Sequence, residues 1–295
     1  MRRPLRRQLR RLAAAAGLGF ALVIVADAQS AFAQQPIDVP QHVLLGIDLE
    51  KHGDLPSALR EFTLALRANA SDFAAYVDRG NLRVRLGDFA DAKSDFDAAI
   101  RLAPREPAAY LGRGNALASL HRYAEADADE SRAIALRREL GTSFLEAYLA
   151  RASVRRELGD IAGTKSDLSA AIALDPQNAR ALYSRGALAY ETKDEAAAER
   201  DFDRARIADP RFYEPAFARG LVRLHRGDAE AAQSDFSDAI ALQPSGAAAY
   251  RQRAEARRVL GDSAGAAADD ATAATLEAPA PKRSAFAGIE RNTYV

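Results

Sequence analysis

Between residues 73 and 104, small and apolar positions come in two stripes of helical period. Tyr76, Gly80 and Arg83 share one face of a first helix; Phe89, Ala92, Phe96, Ala99 and Ile100 share one face of a second. Gly87-Asp88 separates them. Glycine adopts the left-handed conformation that ends a helix, and an aspartate after it can accept from the free amides of the next helix. Pro104 stops the second helix or starts the following connection. The pattern predicts a helix hairpin in which Gly80 and Ala92 let the helices approach, while Tyr76 and Phe96 fill the volume beside them.

The same lettering returns at a fixed distance. Arg79, Arg113, Arg151, Arg185, Arg219 and Arg253 are separated by 34, 38, 34, 34 and 34 residues, and Asp95, Asp129, Asp167, Asp201, Asp235 and Asp269 each follow by sixteen. A weaker copy precedes them, with Leu45-Gly46, Gly53-Asp54, Ala58 and Phe62. Residues 39–280 thus read as seven units (39–72, 73–106, 107–140, 145–178, 179–212, 213–246 and 247–280) plus four extra residues, Gly141 to Phe144. One hairpin of this length cannot bury its apolar face alone, whereas stacking on neighbours makes a continuous core. The expectation is one continuous array with a kink at the insertion. Ser143 and Glu146 there fit a capping box. The third copy lacks the usual aromatic (Glu130) and proline (Arg138), so its second helix is expected to run longer.

The period, the small residue of each first helix (Gly46, Gly80, Gly114, Ala152, Gly186, Gly220, Ala254) and "LGD" before the second helix resemble the tetratricopeptide repeat. Ala58, Ala92, Ala126, Ala198, Ala232 and Ala266 fit that pattern, as do Pro104, Pro176, Pro210 and Pro244. Departures are arginine where the family often has leucine, Thr164 in place of one alanine, and His121-Arg122 in place of one Gly-Asp turn. The resemblance implies an all-α fold, a right-handed α-solenoid of about seven helix-turn-helix repeats. It says little about the partner.

The arginine and aspartate series predicts a ladder of six charge-assisted pairs: Arg79–Asp95, Arg113–Asp129, Arg151–Asp167, Arg185–Asp201, Arg219–Asp235 and Arg253–Asp269. Partly buried pairs of this kind fix register more reliably than they add stability. The resemblance further implies that first helices line a concave groove. Projected onto this chain, the partner-facing positions are Val77, Asn81, Leu111, Asn115, Leu149, Ser153, Tyr183, Tyr190, Phe217, Leu221 and Leu224. Asn81 and Asn115 recur 34 residues apart, and an asparagine amide both donates to and accepts from a peptide backbone. The aromatic group Tyr183, Tyr190 and Phe217, with Leu221 and Leu224, reads as an anchor for a partner or as packing between adjacent units. The carboxylate clamp of some tetratricopeptide cochaperones does not fit, because Val77, Glu146 and Ala150 stand where it needs cations.

The N-terminus changes the setting. "MRRPLRRQLRR" carries six arginines, an apolar run follows from Leu12 to Ala26, and Ala31-Phe32-Ala33 matches a cleavage pattern. Residues 1–33 therefore read as a secretory signal and 34–38 as a short linker, placing the mature chain in a bacterial periplasm. An uncleaved inner-membrane anchor is the alternative. Removing the signal takes away six Arg and one Asp, leaving 35 basic and 40 acidic residues, a net charge near −5. That balance argues against nucleic acid, and no second stretch has the length to span a membrane. After 280 the chain is expected to form a flexible tail or a short cap. Its last three residues, Thr293-Tyr294-Val295, weakly resemble a PDZ ligand.

Catalysis finds little support. The chain has no cysteine, its histidines (His42, His52, His121, His225) are scattered, and no H-E-x-x-H pair, phosphate loop or G-x-S-x-G elbow occurs. No cofactor or metal is expected. The reading is an exported scaffold that binds a peptide or protein in its groove; the alternative is a self-assembling structural component of the envelope. The sequence leaves oligomeric state open.

Overall fold

The computed structural model describes residues 39–140 and 144–278. The expected signal and linker, Gly141 to Ser143 of the insertion and the tail from 279 lie outside the described residues. Fourteen helices and no strand occupy the rest. They fall into two compact units, one up to Pro104 and one from Arg105 onward. The first holds α1 (Val39–Lys51), α2 (Leu55–Ala68), α3 (Phe73–Leu86) and α4 (Phe89–Leu102). The second begins with α5 (Pro107–Ser119), α6 (Tyr123–Glu139), α7 (Leu145–Glu157) and α8 (Ile161–Leu174). It continues with α9 (Ala179–Glu191), α10 (Glu195–Ala208), α11 (Tyr213–His225), α12 (Ala229–Leu242), α13 (Ala247–Val259) and α14 (Ser263–Glu277). Each odd-numbered helix pairs with the next, and within a unit each hairpin packs on the one before it. This is the all-α helix-hairpin repeat class that the period indicates.

Glycine on the first helix faces an aromatic on the second in four hairpins. A methyl built on Gly46, Gly80, Gly186 or Gly220 would stand 2.7, 2.8, 2.8 or 2.6 Å from the ring of Phe62, Phe96, Phe202 or Phe236. Those four phenylalanines are among the largest fully buried side chains. The turns follow the expected chemistry: Gly53, Gly87, Gly159, Gly227 and Gly261 all have positive φ, and where glycine is missing, His121 and Lys193 take φ of 59° and 66°. Asp54, Asp72, Asp160, Asp194, Asp228 and Asp262 each cap the helix that follows by accepting an amide bond. Two local expectations need correction. Asp88 occupies the N-cap of α4 but its carboxylate accepts no cap bond. The N-cap of α7 is Phe144, so the helix starts one residue later than a capping box at Ser143 requires. The second helix of the third hairpin, α6, runs 17 residues against 14 for most others, as the missing proline suggests.

The charged series lies at the seam of the second to seventh hairpins. Arg79 donates through Nε and Nη2 to both oxygens of Asp95 at 3.0 and 2.6 Å. The same fork joins Arg113 to Asp129 (2.7 and 2.7 Å), Arg151 to Asp167 (2.9 and 2.6 Å), Arg185 to Asp201 (2.7 and 2.8 Å) and Arg253 to Asp269 (2.8 and 2.6 Å). Arg219 grips Asp235 likewise. All six aspartates are buried. The remaining guanidinium nitrogen, Nη1, reaches back to the second helix of the preceding hairpin: Arg79 to Thr63, Arg151 to Ser131, Arg185 to Ser169 and Arg253 to Ser237, at 2.9–3.3 Å, and Arg219 to Asp203. One side chain therefore closes its own hairpin and registers it on the previous one. Tyrosine one turn earlier, at Tyr76, Tyr110, Tyr148 and Tyr250, lies beneath four of these guanidiniums at 5.6–5.9 Å.

The third hairpin departs inside. Glu130 stands where Phe96 stands in the second, facing Gly114, and is fully buried. Neither carboxylate oxygen has a hydrogen-bond partner among the described residues. Burial, and then the charge of Asp127, push its pKa from 4.5 up to about 8, against the opposing pull of Arg151. Below about 4.5 both folded and unfolded chains hold the proton; between there and about 8 only the folded chain does. Stability contributed by the protonated form is therefore lost as pH rises through that window.

Two outcomes follow. Glu130→Phe restores the aromatic of the other hairpins and should stabilise the protein by about 2 kcal/mol at pH 8, about 4–8 °C in Tm, with a smaller gain at pH 5. Thermal unfolding at both pH values checks it. Asp235→Asn should cost about 3 kcal/mol because it leaves Arg219 and Arg223 facing a neutral amide, whereas Asp238→Asn at the exposed Arg206 pair should cost under about 1 kcal/mol. Urea denaturation of the two variants separates them.

Candidate functional site

The positions projected onto a partner-facing surface lie on first helices, and their exposure divides them. Asn81 on α3, Asn115 on α5 and Ser153 on α7 are exposed; Val77, Leu111 and Leu149, one turn earlier, are half-buried. Within the second unit, α7, α8 and α9 enclose a cavity of about 440 Å³. Leu149 and Ser153 line it together with Ala152 and Arg156 of α7, Thr164 and Leu168 of α8, and Arg180, Ser184 and Leu188 of α9. Its floor is aliphatic and its rim carries two hydroxyls and two guanidiniums. Arg156 pairs with Glu191. Arg180 is exposed and forms no ion pair among the described residues. An aliphatic side chain followed by a hydrogen-bonding or anionic group fits that arrangement.

The aromatic group sits differently. Tyr183 is half-buried, with ring centroids 5.8 Å from Phe202 and 5.2 Å from Phe212, and burial raises its phenol pKa. Tyr190 packs on the cluster of Phe202 and Val222. Phe217 lies 5.8 Å from the Phe236 ring and, with Leu221 and Leu224, packs against Ala232 and Ala256. These side chains pack within their own hairpins, through Phe202 and Phe236, and against the next ones, through Phe212, Val222 and Ala256, while all remain half-buried. Phe217 also lines a small cavity of about 60 Å³ beside Tyr213 and Gln243.

Sequence reading missed Arg156, Arg180 and Ser184 at the cavity on α7–α9. Helical spacing contains the signal for the first, since Arg156 follows Leu149 and Ser153 by seven and three residues on the same face. It also missed a second arginine series, Arg83, Arg155, Arg223 and Arg257, each four residues after a ladder arginine and bonded to the same aspartate. Among the described residues no helix is long and apolar enough to cross a membrane. No group of three or more His, Cys, Asp or Glu side chains there is placed to hold a metal ion.

Residues 77–139 and 149–211 match the tetratricopeptide repeat family. No curated protein matches the chain. Among solved structures, a tetratricopeptide repeat protein from Parabacteroides merdae is 18% identical, with a TM-score of 0.60, covering 81% of this chain and 93% of its own. PilW, a widely conserved type IV pilus biogenesis factor, is 17% identical, with a TM-score of 0.64, covering 70% of this chain and 94% of its own. YrrB, a tetratricopeptide repeat protein with an unusual peptide-binding site, is 22% identical, with a TM-score of 0.53, covering 64% of this chain and 95% of its own. At these identities the likeness is one of architecture. The fold is that of a tetratricopeptide repeat protein, and proteins of this fold commonly mediate protein–protein interaction.

Because the aromatic group is packed, its truncation reads out as stability. Phe217→Ala should lower stability by roughly 2–3 kcal/mol, measurable by urea denaturation in the absence of any partner.

Proposed function

We propose that the chain is an exported interaction scaffold that holds an extended peptide or a protein surface along its first helices. The observation that carries this reading is the cavity on α7–α9, where an aliphatic floor of Leu149, Ala152, Leu168 and Leu188 meets the unpaired guanidinium of Arg180 and the hydroxyls of Ser153 and Ser184. A groove of this composition gives affinity through burial of an apolar side chain and orientation through a few polar groups. The scaffold performs no chemistry and takes no cofactor. YrrB, of similar fold, carries a peptide-binding site, which supports this kind of activity. Export rests on the arginine-rich, apolar, Ala-x-Ala sequence of residues 1–33, and the compartment it implies is the periplasm.

Site-specific photocrosslinking in cells tests the proposal. A crosslinker at Ser153 should capture a discrete protein, and Arg180→Glu should abolish that product while leaving the fold intact by circular dichroism. A crosslinker at Ser166, exposed on the second helix α8, serves as control. The same product from Ser166, or none from Ser153, would overturn it.

A further inference from the structure

The second arginine series defines a binding slot, repeated along the chain. Arg83, Arg155, Arg223 and Arg257 donate through Nη1 to Oδ2 of Asp95, Asp167, Asp235 and Asp269, at 2.7, 3.0, 3.0 and 2.8 Å. Two of them also donate to the carbonyl one turn before that aspartate: Arg83 to Asp91 at 3.3 Å and Arg257 to Gly265 at 2.9 Å. The aspartate that caps the second helix stands alongside, with Asp160 3.8 Å from Arg155 and Asp262 3.6 Å from Arg257. The Arg257 slot thus has three walls, ladder carboxylate, backbone carbonyl and cap carboxylate, and the Arg83 and Arg155 slots each show two of them.

In the fifth hairpin the walls are present and the arginine is not. Ala189 takes its position on α9, and the space opens into a cavity of about 580 Å³. Asp201, Asp194 and Ala197, which occupy the three wall positions, all line it. The third hairpin also lacks the arginine, but there the buried side chain of Leu117 fills the place. Asp201 is 6% exposed; among the described residues its hydrogen bonds come from Arg185, and Arg204 stands further off at 3.9 Å.

The opposite rim has changed sign. Arg155 and Arg223 also pair with an acid on the preceding second helix, Asp127 at 2.7 Å and Glu199 at 2.8 Å. In the fifth hairpin's slot that position is Lys165, and Arg200 joins it at the cavity. Both are exposed and neither forms an ion pair among the described residues. The cavity lining therefore combines carboxylates in a site shaped for guanidinium with two unpaired cations, Lys165 on α8 and Arg200 on α10.

We propose that this cavity binds arginine bearing a free carboxylate, its guanidinium in the slot beside Asp201 and Asp194 and its carboxylate against Lys165 and Arg200. The volume is that of a small-ligand pocket. A bare cation would meet repulsion from the rim, and a bare anion would leave the carboxylate wall unanswered; the zwitterion satisfies both. The chemistry is shared by free L-arginine and by a C-terminal arginine of a partner protein.

Titration of the purified protein with L-arginine, followed by amide NMR, is the test. Saturable shifts at Ala189, Ala197 and Asp201 are expected, with no response to L-citrulline and roughly tenfold weaker binding of agmatine, which lacks the carboxylate. A Gly-Gly-Arg peptide that binds tighter than L-arginine assigns the site to a protein C-terminus; tighter binding of L-arginine assigns it to the free amino acid. Ala189→Arg should fill the slot, raise Tm and abolish the shifts. Ala189→Leu, which imitates Leu117, should abolish them without a new ion pair. No response up to about 10 mM L-arginine, an equal response to L-citrulline, or shifts that survive both substitutions would overturn the proposal.

Discussion

Everything in this molecule leans on how one guanidinium is shared. From the second hairpin onward the ladder arginine gives two parallel bonds to an aspartate on its own second helix, and in five of these six hairpins a third bond runs to a side chain on the helix before it. A planar five-donor group suits this task where an ammonium would not, because the fork fixes direction as well as charge. Apolar burial drives the stacking, yet many of the core side chains are alanines that would pack nearly as well one turn out of register. The buried aspartates remove that freedom, since a slipped hairpin would strand a desolvated charge.

Around that constraint the structure varies. Where glycine and phenylalanine meet, the helices close tightly; where Glu130 replaces the ring, a neutral carboxyl sits in the core and ties stability to pH. Where the second arginine is present, the aspartate is doubly gripped; where Ala189 replaces it, a cavity opens with its acceptors in place. The cavity proposed to bind arginine thus arises at a departure from the repeat. The cavity on α7–α9 is lined by small side chains, Ala152, Ser153 and Ser184, and by the larger Leu149, Leu168 and Leu188.

Much of the fold was legible in the letters. Residues sixteen apart carried a charge pair six times over, and a 34-residue period with a glycine facing an aromatic leaves few alternatives to stacked hairpins. Local detail was less legible. Asp88 has the right type and place to cap α4, yet its side chain does not bond there, a matter of rotamer that sequence does not encode. The second arginine series escaped notice because arginine is abundant in this chain and Arg85, Arg156 and Arg226 obscure its spacing. The exposed face was hardest to read: Tyr183 and Phe217 look like anchors in one dimension, and only packing against Phe202 and Phe236 shows how much of each is spent inside.

The central claim concerns energy shared across hairpins, and a pair of double-mutant cycles measures it directly. Arg151 is combined with Asp167, its partner within the hairpin, and separately with Ser131, its partner on the preceding one. Urea denaturation should show coupling above about 1 kcal/mol for the first pair and a smaller, non-zero coupling for the second. Strict additivity in both cycles would contradict the account, leaving apolar packing alone to hold the hairpins in register.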